Sequence, residues 1–152
     1  MRTLILMRHA TAVEFHQAPS DYTRDLSVVG RAQAQQQALH LSQHYCPEYI
    51  IASGALRTSM TAAYIANTFM LPIHLHLKPE LHLAHAEQYS DAIKAIPDTV
   101  YCAMLIGHNP NISALVTLLS GHQAEPLAPA GIALLQTPAD WTAGTFTFLR
   151  QM

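Results

Sequence analysis

The chain has 152 residues, 50% of them hydrophobic and 12% charged, with a formal net charge of −2. Such a balance supports a buried core and argues against disorder, and it carries no overall basic footprint for nucleic acid. No apolar run approaches the ~20 residues of a membrane span, and the first one, Leu4 to Met7, ends at Arg8 too early for a secretory signal.

The length reads as a single domain, 1–152. Thr3 to Met7 predicts a short buried strand. Glu14 to Asp25, with Pro19, Ser20 and Asp21, reads as a polar loop. Ser27 is a candidate N-cap for a helix to about His44, in which Ala34, Ala38, Leu41 and Tyr45 recur at helical spacing. Tyr49 to Ala52 predicts a second buried strand, and Ser53 a cap for a helix over 54–70. Ile73 to Leu77 alternates with histidines, as a strand with one exposed face does. A helix is expected near Glu87 to Ile96, with Tyr89, Ile93 and Ile96 inward. Val100 to Ile106 follows as a strand. Asn109 reads as a cap, with Pro110 at the first position of a helix carrying Ile112, Leu115, Val116 and Leu119. Gly131 to Gln136 and Thr145 to Leu149 read as two final strands joined through 138–144.

Strands alternating with helices imply an α/β fold. The expectation is a three-layer α/β/α arrangement, a mostly parallel sheet covered by helices on both faces, with an antiparallel edge. Cys46 and Cys102 show no CxxC spacing. They are expected as buried free thiols of a cytoplasmic protein, with one disulfide as the alternative.

Three predicted strands end in chemistry: Arg8-His9, then Ser53-Gly54-Ala55-Leu56-Arg57, then Gly107-His108-Asn109-Pro110. In open α/β sheets the carboxyl ends of parallel strands share one edge, where ligands bind. Two arginines and two histidines are therefore expected to converge. Guanidinium forks suit a phosphate, and helix N-termini after Ser53 and Asn109 would add N–H groups. No phosphate-cradling glycine loop is present. No carboxylate accompanies these strand ends, so no metal and no cofactor is expected. Chemistry without a metal needs a side-chain nucleophile, and a neutral imidazole can serve. For Arg8 and His9 to face one ligand, the strand must stop at about Met7.

The motifs Arg8-His9-Ala10, Ser53-x-x-x-Arg57-x-x-x-Thr61 and Gly107-His108 resemble, in order, the signature of the histidine phosphatase (phosphoglycerate-mutase-like) superfamily. The resemblance implies that His9 is the phosphorylated nucleophile and that Arg8, Arg57 and His108 bind the phosphoryl group. Arg24-Asp25-Leu26-Ser27-x-x-Gly30 also matches and implies that Arg24 reaches the pocket. Two departures stand out. Ala10 replaces the family's glycine. In Pro79-Glu80-Leu81-His82-Leu83, Leu83 occupies the place of the general-acid glutamate of mutases and broad phosphatases.

That missing acid and the short length resemble the SixA-type branch, the protein phosphohistidine phosphatases. The imidazole of phosphohistidine leaves across a P–N bond with less need of an acid than an alkoxide has. The implied partner is a phosphoprotein carrying phosphohistidine. The alternatives are a small phosphorylated substrate, or a non-catalytic phosphate-binding module. His82 lies near the missing acid's place and could hydrogen-bond a leaving group, against a plain polar reading. Tyr22 is expected either to line the rim or to pack. Thr61 is expected to pack or to bond within its helix. His74 and His76 read as an exposed polar face, and His16, His40, His44 and His122 as surface residues.

Overall fold

The computed structural model describes residues 1–142 and 145–152. The helices and strands are β1 (Arg2–Arg8), α1 (Val28–His44), β2 (Tyr49–Ser53), α2 (Leu56–Thr68), β3 (His74–Lys78), α3 (Ala86–Lys94), β4 (Cys102–Gly107), α4 (Asn111–Ser120), β5 (Ile132–Thr137) and β6 (Thr147–Gln151). Ala143 and Gly144, in the predicted connection before the last strand, lie outside the described residues.

The six strands form one sheet in the order β3-β2-β4-β1-β5-β6. Neighbours from β3 to β1 are parallel, and β5 runs antiparallel to both β1 and β6. The expected mostly parallel sheet with an antiparallel edge is what forms.

Helices cover both faces, and the strand sequences say why. Leu4 to Met7 are all fully buried, as a strand sandwiched between two layers requires. Side chains alternate across the sheet. Leu4, Leu6, Ala103 and Leu105 pack with Tyr89 and Ile93 of α3 and Ile112, Leu115 and Val116 of α4. Ile5, Met7, Met104 and Ile106 pack on the other face with Ala34, Ala38 and Leu41 of α1 and Ala62 and Ile65 of α2. The small inward residues of α1 and α2 let those helices lie close to the sheet.

Several expectations need correcting. β1 continues through Arg8, which pairs with Gly107, so the chain leaves the sheet after Arg8 rather than at Met7. Ser53 does not cap α2; it is the buried last residue of β2, and Ala55 takes the N-cap position with no side-chain cap. Asn109 does not cap α4 either. Pro110 occupies that position after a cis peptide bond. The Asn109 side chain instead donates to the Leu127 carbonyl at 2.8 Å and accepts from Ser113 Oγ. Cys46 is exposed and Cys102 half-buried, and both are free. Ser27, by contrast, does cap α1, accepting from the Gly30 N–H at 3.0 Å.

α1 also clamps the segment that leaves β1. The Thr11 carbonyl accepts from the Ser27 N–H at 2.9 Å and from Ser27 Oγ at 3.2 Å, and the Thr11 N–H donates to Gln33 Oε1 at 2.9 Å. Gly30 permits this approach: a Cβ there would stand 1.9 Å from the Thr11 carbonyl oxygen. Gly30→Ala must therefore push backbone apart. We expect a loss of about 2–3 kcal/mol, read as a fall in Tm of roughly 5–10 °C for a chain of this size. An unchanged Tm in a calorimetric scan refutes the clamp.

Candidate active site

The carboxyl ends of β1, β2, β3 and β4 lie along one edge, and the expected residues meet there. The His9 N–H donates to the Gly107 carbonyl at 3.1 Å, which places the two histidine-bearing strand ends side by side. The rings of His9 and His108 have centroids 5.2 Å apart. The bend after His9 is fixed by Thr61, whose Oγ1 accepts from the Ala10 N–H at 3.1 Å and donates to the Arg57 carbonyl at 2.7 Å. Thr61 thus bonds within its helix, as one reading expected, and ties the two arginine-bearing motifs together.

The imidazole of His9 is oriented. Its Nδ1 lies 2.7 Å from the Ala10 carbonyl oxygen, which can only accept, so Nδ1 carries the proton. That leaves the lone pair on Nε2, where Arg57 Nε donates at 3.3 Å. Burial lowers the affinity of His9 for a second proton; the charges of Arg57, Arg8 and Arg24 add to this against the Ala10 hydrogen bond, and its pKa falls to about 4. His108 is pushed to about 3, first by burial and then by His9, Arg57 and His82, with Asp21 opposing. Both rings are therefore neutral at physiological pH.

His108 is held from behind. Its Nε2 lies 2.6 Å from Ser53 Oγ, which in turn meets Thr58 Oγ1. Its backbone N–H donates to Tyr89 Oη at 3.2 Å. Among the described residues its Nδ1 is buried without a hydrogen-bond partner. Such an atom is costly unless a ligand meets it. Ser53 thus works as a brace for His108, a role that its position beside a helix start concealed.

Arg57 is 6% exposed, unusual for a charged side chain. Its terminal nitrogens reach into the loop between β1 and α1, where Nη1 donates to the Asp21 carbonyl at 2.7 Å and Nη2 to Asp21 Oδ2 at 3.1 Å. Arg8 donates through Nη1 to the Leu127 carbonyl at 3.2 Å, and its buried Nε has no partner among the described residues. Arg24 joins the group indirectly. It donates to the Val13 carbonyl at 2.9 Å and to Asp21 Oδ1 at 3.0 Å, with its guanidinium over the Phe15 ring.

Asp21 is the residue that motif reading missed. No carboxylate lies at a strand end, but this one arrives from the loop and meets Arg24, Arg57 and His82 Nε2, the last at 2.9 Å. Burial acts to raise its pKa, yet the hydrogen bonds from His82, Arg24 and Arg57 and the charge of Arg57 hold it well below the usual carboxylate range. It is an anion among cations. The same loop occupies the start of α2, where the Tyr22 carbonyl accepts from the Leu56 N–H at 2.9 Å. That helix end is thus less open to a ligand than expected. Tyr22 lies at the rim, edge-on to His82 with centroids 5.0 Å apart. Leu83, in the place of the family's acid, is 81% exposed.

His74 is exposed, while His76 stacks on Tyr49. Among the described residues no group of three or more His, Cys, Asp or Glu side chains is placed to hold a metal ion. No described helix is long and apolar enough to cross a membrane.

The arrangement suits a tetrahedral oxyanion: a neutral imidazole, guanidinium donors and a buried imidazole nitrogen without a hydrogen-bond partner among the described residues. The comparisons agree with that chemistry. Residues 4–101, more than half of the chain, match the family described as histidine phosphatase superfamily (branch 1). The sequence has no significant match among curated proteins. Among solved structures, the protein histidine phosphatase SixA complexed with tungstate is 27% identical, with a TM-score of 0.87 over 99% of this chain and 96% of that one. A candidate phosphohistidine phosphatase SixA from Agrobacterium tumefaciens is 25% identical, with a TM-score of 0.86 over 99% and 97%. A mycobacterial glucosyl-3-phosphoglycerate phosphatase shares the fold at 16% identity, with a TM-score of 0.74 over 98% and 97%. By the extent of the family match and the order of its motifs, this chain belongs to the histidine phosphatase superfamily, branch 1.

Proposed function

We propose that the protein is a metal-independent phosphatase working through a phosphohistidine intermediate on His9, and that its main substrate is phosphohistidine on a partner protein. The observation that carries the chemistry is the His9 ring itself. Nδ1–H is tied to the Ala10 carbonyl, and the Nε2 lone pair is held by a hydrogen bond from Arg57 Nε that the reaction must exchange for the bond to phosphorus. A neutral imidazole is the reactive form, and burial keeps it neutral.

In the first step His9 Nε2 bonds to phosphorus as the bond to the leaving group breaks. Arg57 and Arg8 balance charge on the equatorial oxygens, and the free Nδ1 of His108 meets one of them as a donor once it carries a proton. The Ala10 carbonyl stabilises the Nδ1–H as the ring becomes cationic. Water then takes the phosphoryl group, and His9 departs neutral. The substrate reading draws on two features. The place of the family's acid holds an apolar, exposed Leu83, which favours a leaving group that departs as neutral imidazole. The two SixA-named structures are also similar to this one over nearly their whole length. A small phosphomonoester is the second reading, and what favours it is the loop of Asp21 and Tyr22 folded against the site.

His9→Ala is expected to abolish turnover of a phosphohistidine-containing protein and to remove the acid-labile phosphoryl label trapped by rapid quench. Labelling that persists in the variant refutes His9 as nucleophile. Arg57→Ala should lower kcat/KM by about 10²-fold or more, since a charged donor serves the transition state. Equal kinetics would remove Arg57 from the phosphoryl site.

The pH behaviour has a definite sign. His9 stays unprotonated as pH falls from 7 to 5, and the nucleophile is lost only as pH drops through about 4. Ring-proton NMR of the free protein should place the His9 midpoint near 4. A midpoint near the ordinary 6.5 contradicts the buried, cation-flanked environment.

A further inference from the structure

We propose that His82, held by Asp21, is the proton donor and acceptor of the reaction, and that it equips the site to hydrolyse phosphomonoesters as well as P–N bonds. This rests on the phosphatase reading above and extends it to a further catalytic residue and a further substrate class.

The placement is specific. His82 follows the 3-10 turn Pro79–Leu81 after β3, with its side chain 15% exposed. Its Nε2 lies 2.9 Å from Asp21 Oδ2. Its ring stands edge-on to His108, with centroids 5.5 Å apart, and edge-on to Tyr22 on the other side. His9, His108 and His82 therefore form a row of three imidazoles.

Arg57 spans the ends of the machinery. Its Nε points at His9 Nε2, and its Nη2 at the same Asp21 oxygen that holds His82. A phosphoryl group gripped by this guanidinium has His9 at one side and the Asp21–His82 pair at the other. The second side is where the leaving group of an in-line displacement must stand.

The two members of the pair have different roles. Asp21 is surrounded by Arg24, Arg57 and His82 and is held ionised, so it does not supply a proton at neutral pH. An ionised carboxylate only accepts, so it takes the Nε2–H of His82 and orients the ring, and the proton that the ring gives up and regains is the one on Nδ1. Nδ1 of His82 has no protein partner among the described residues and is left to exchange protons with the ligand. Asp21 is thus a positioning residue, and His82 a catalytic one. Leu83, in the place of the family's acid, has no proton to give.

Protons and charge balance over the cycle. In the first step His9 Nε2 bonds to phosphorus, the P–O bond to the alcohol breaks, and the proton on His82 Nδ1 passes to the departing oxygen. His82 becomes neutral and the alcohol leaves as ROH. In the second step a water oxygen bonds to phosphorus and the P–Nε2 bond to His9 breaks. One water proton goes to His82 Nδ1 and the other stays on the phosphate. His9 returns neutral with Nδ1–H still on the Ala10 carbonyl, and His82 is again protonated.

The test is a leaving-group series on the full-length chain, from 4-nitrophenyl phosphate through phenyl phosphate to glycerol phosphate. His82→Gln should lose about 10²–10³-fold in kcat/KM on glycerol phosphate, in the range of general acid–base catalysis. On 4-nitrophenyl phosphate, whose leaving group needs no proton, the loss should be about tenfold or less, so the dependence on leaving-group pKa steepens. His82→Asn, which keeps an amide donor but has no titrating ring, should behave the same way and guards against a folding artefact. Asp21→Asn should steepen the same dependence. Losses by one common factor across the series overturn the proposal, as does a wild-type chain without turnover of glycerol phosphate. Quenching the wild type during turnover separates the two levels. Acid-labile phosphate on His9 with parallel losses in the variants sinks only the role of His82. No such label sinks the phosphatase reading and this proposal with it.

Discussion

The parallel pairing of β1 with β4 is the constraint on which the rest depends. Arg8 stands opposite Gly107, and the first residue beyond, His9, donates its N–H to the Gly107 carbonyl. That register sets His9 beside His108, although 99 residues separate them in the chain. It is enforced by burial on both faces. Shifting β1 by one residue would exchange the residues that pack on α3 and α4 with those that pack on α1 and α2. The core thus supplies the precision of the site, and the close approach of the Gly107 backbone to the Tyr89 ring is part of that packing.

Charge at the strand ends poses a second problem. Arg8, Arg24 and Arg57 repel one another, and their charges oppose protonation of His9. The chain resolves this with one loop carboxylate. Asp21 neutralises part of the cation excess, while burial, assisted by the remaining positive charge, keeps His9 and His108 unprotonated. The guanidiniums are already held in place by protein partners, so on the reading proposed above little side-chain entropy is lost when a phosphoryl dianion binds. The same carboxylate repels that dianion.

The braces around the site share a pattern: each functional side chain is held by a group from a different element. Thr61 of α2 fixes the turn after His9, Ser53 of β2 holds His108, and Leu127, in the segment before β5, accepts from both Arg8 and Asn109. A distant change in any of these elements reaches the chemistry through one hydrogen bond. Tyr89 shows the same economy. Its hydroxyl donates to the Leu81 carbonyl and accepts from the His108 N–H, linking the turn that carries His82 to the end of β4.

By itself the sequence determined the strands, the helices and the three motifs, because burial and periodicity are local properties of a chain. Leu4 to Met7 must be sandwiched, Ser27 must cap, and arginines and histidines at the ends of parallel strands must share an edge. It misread Ser53 and Asn109, since a polar residue before a helix looks the same whether it caps the helix or braces a neighbour. Only the tertiary structure decided that Asp21, in a loop read simply as polar, meets His82 across 61 positions. No spacing encodes such a contact. It exists because the loop folds back over the start of α2 while β3, at the edge of the sheet, delivers the turn with His82 to the same place.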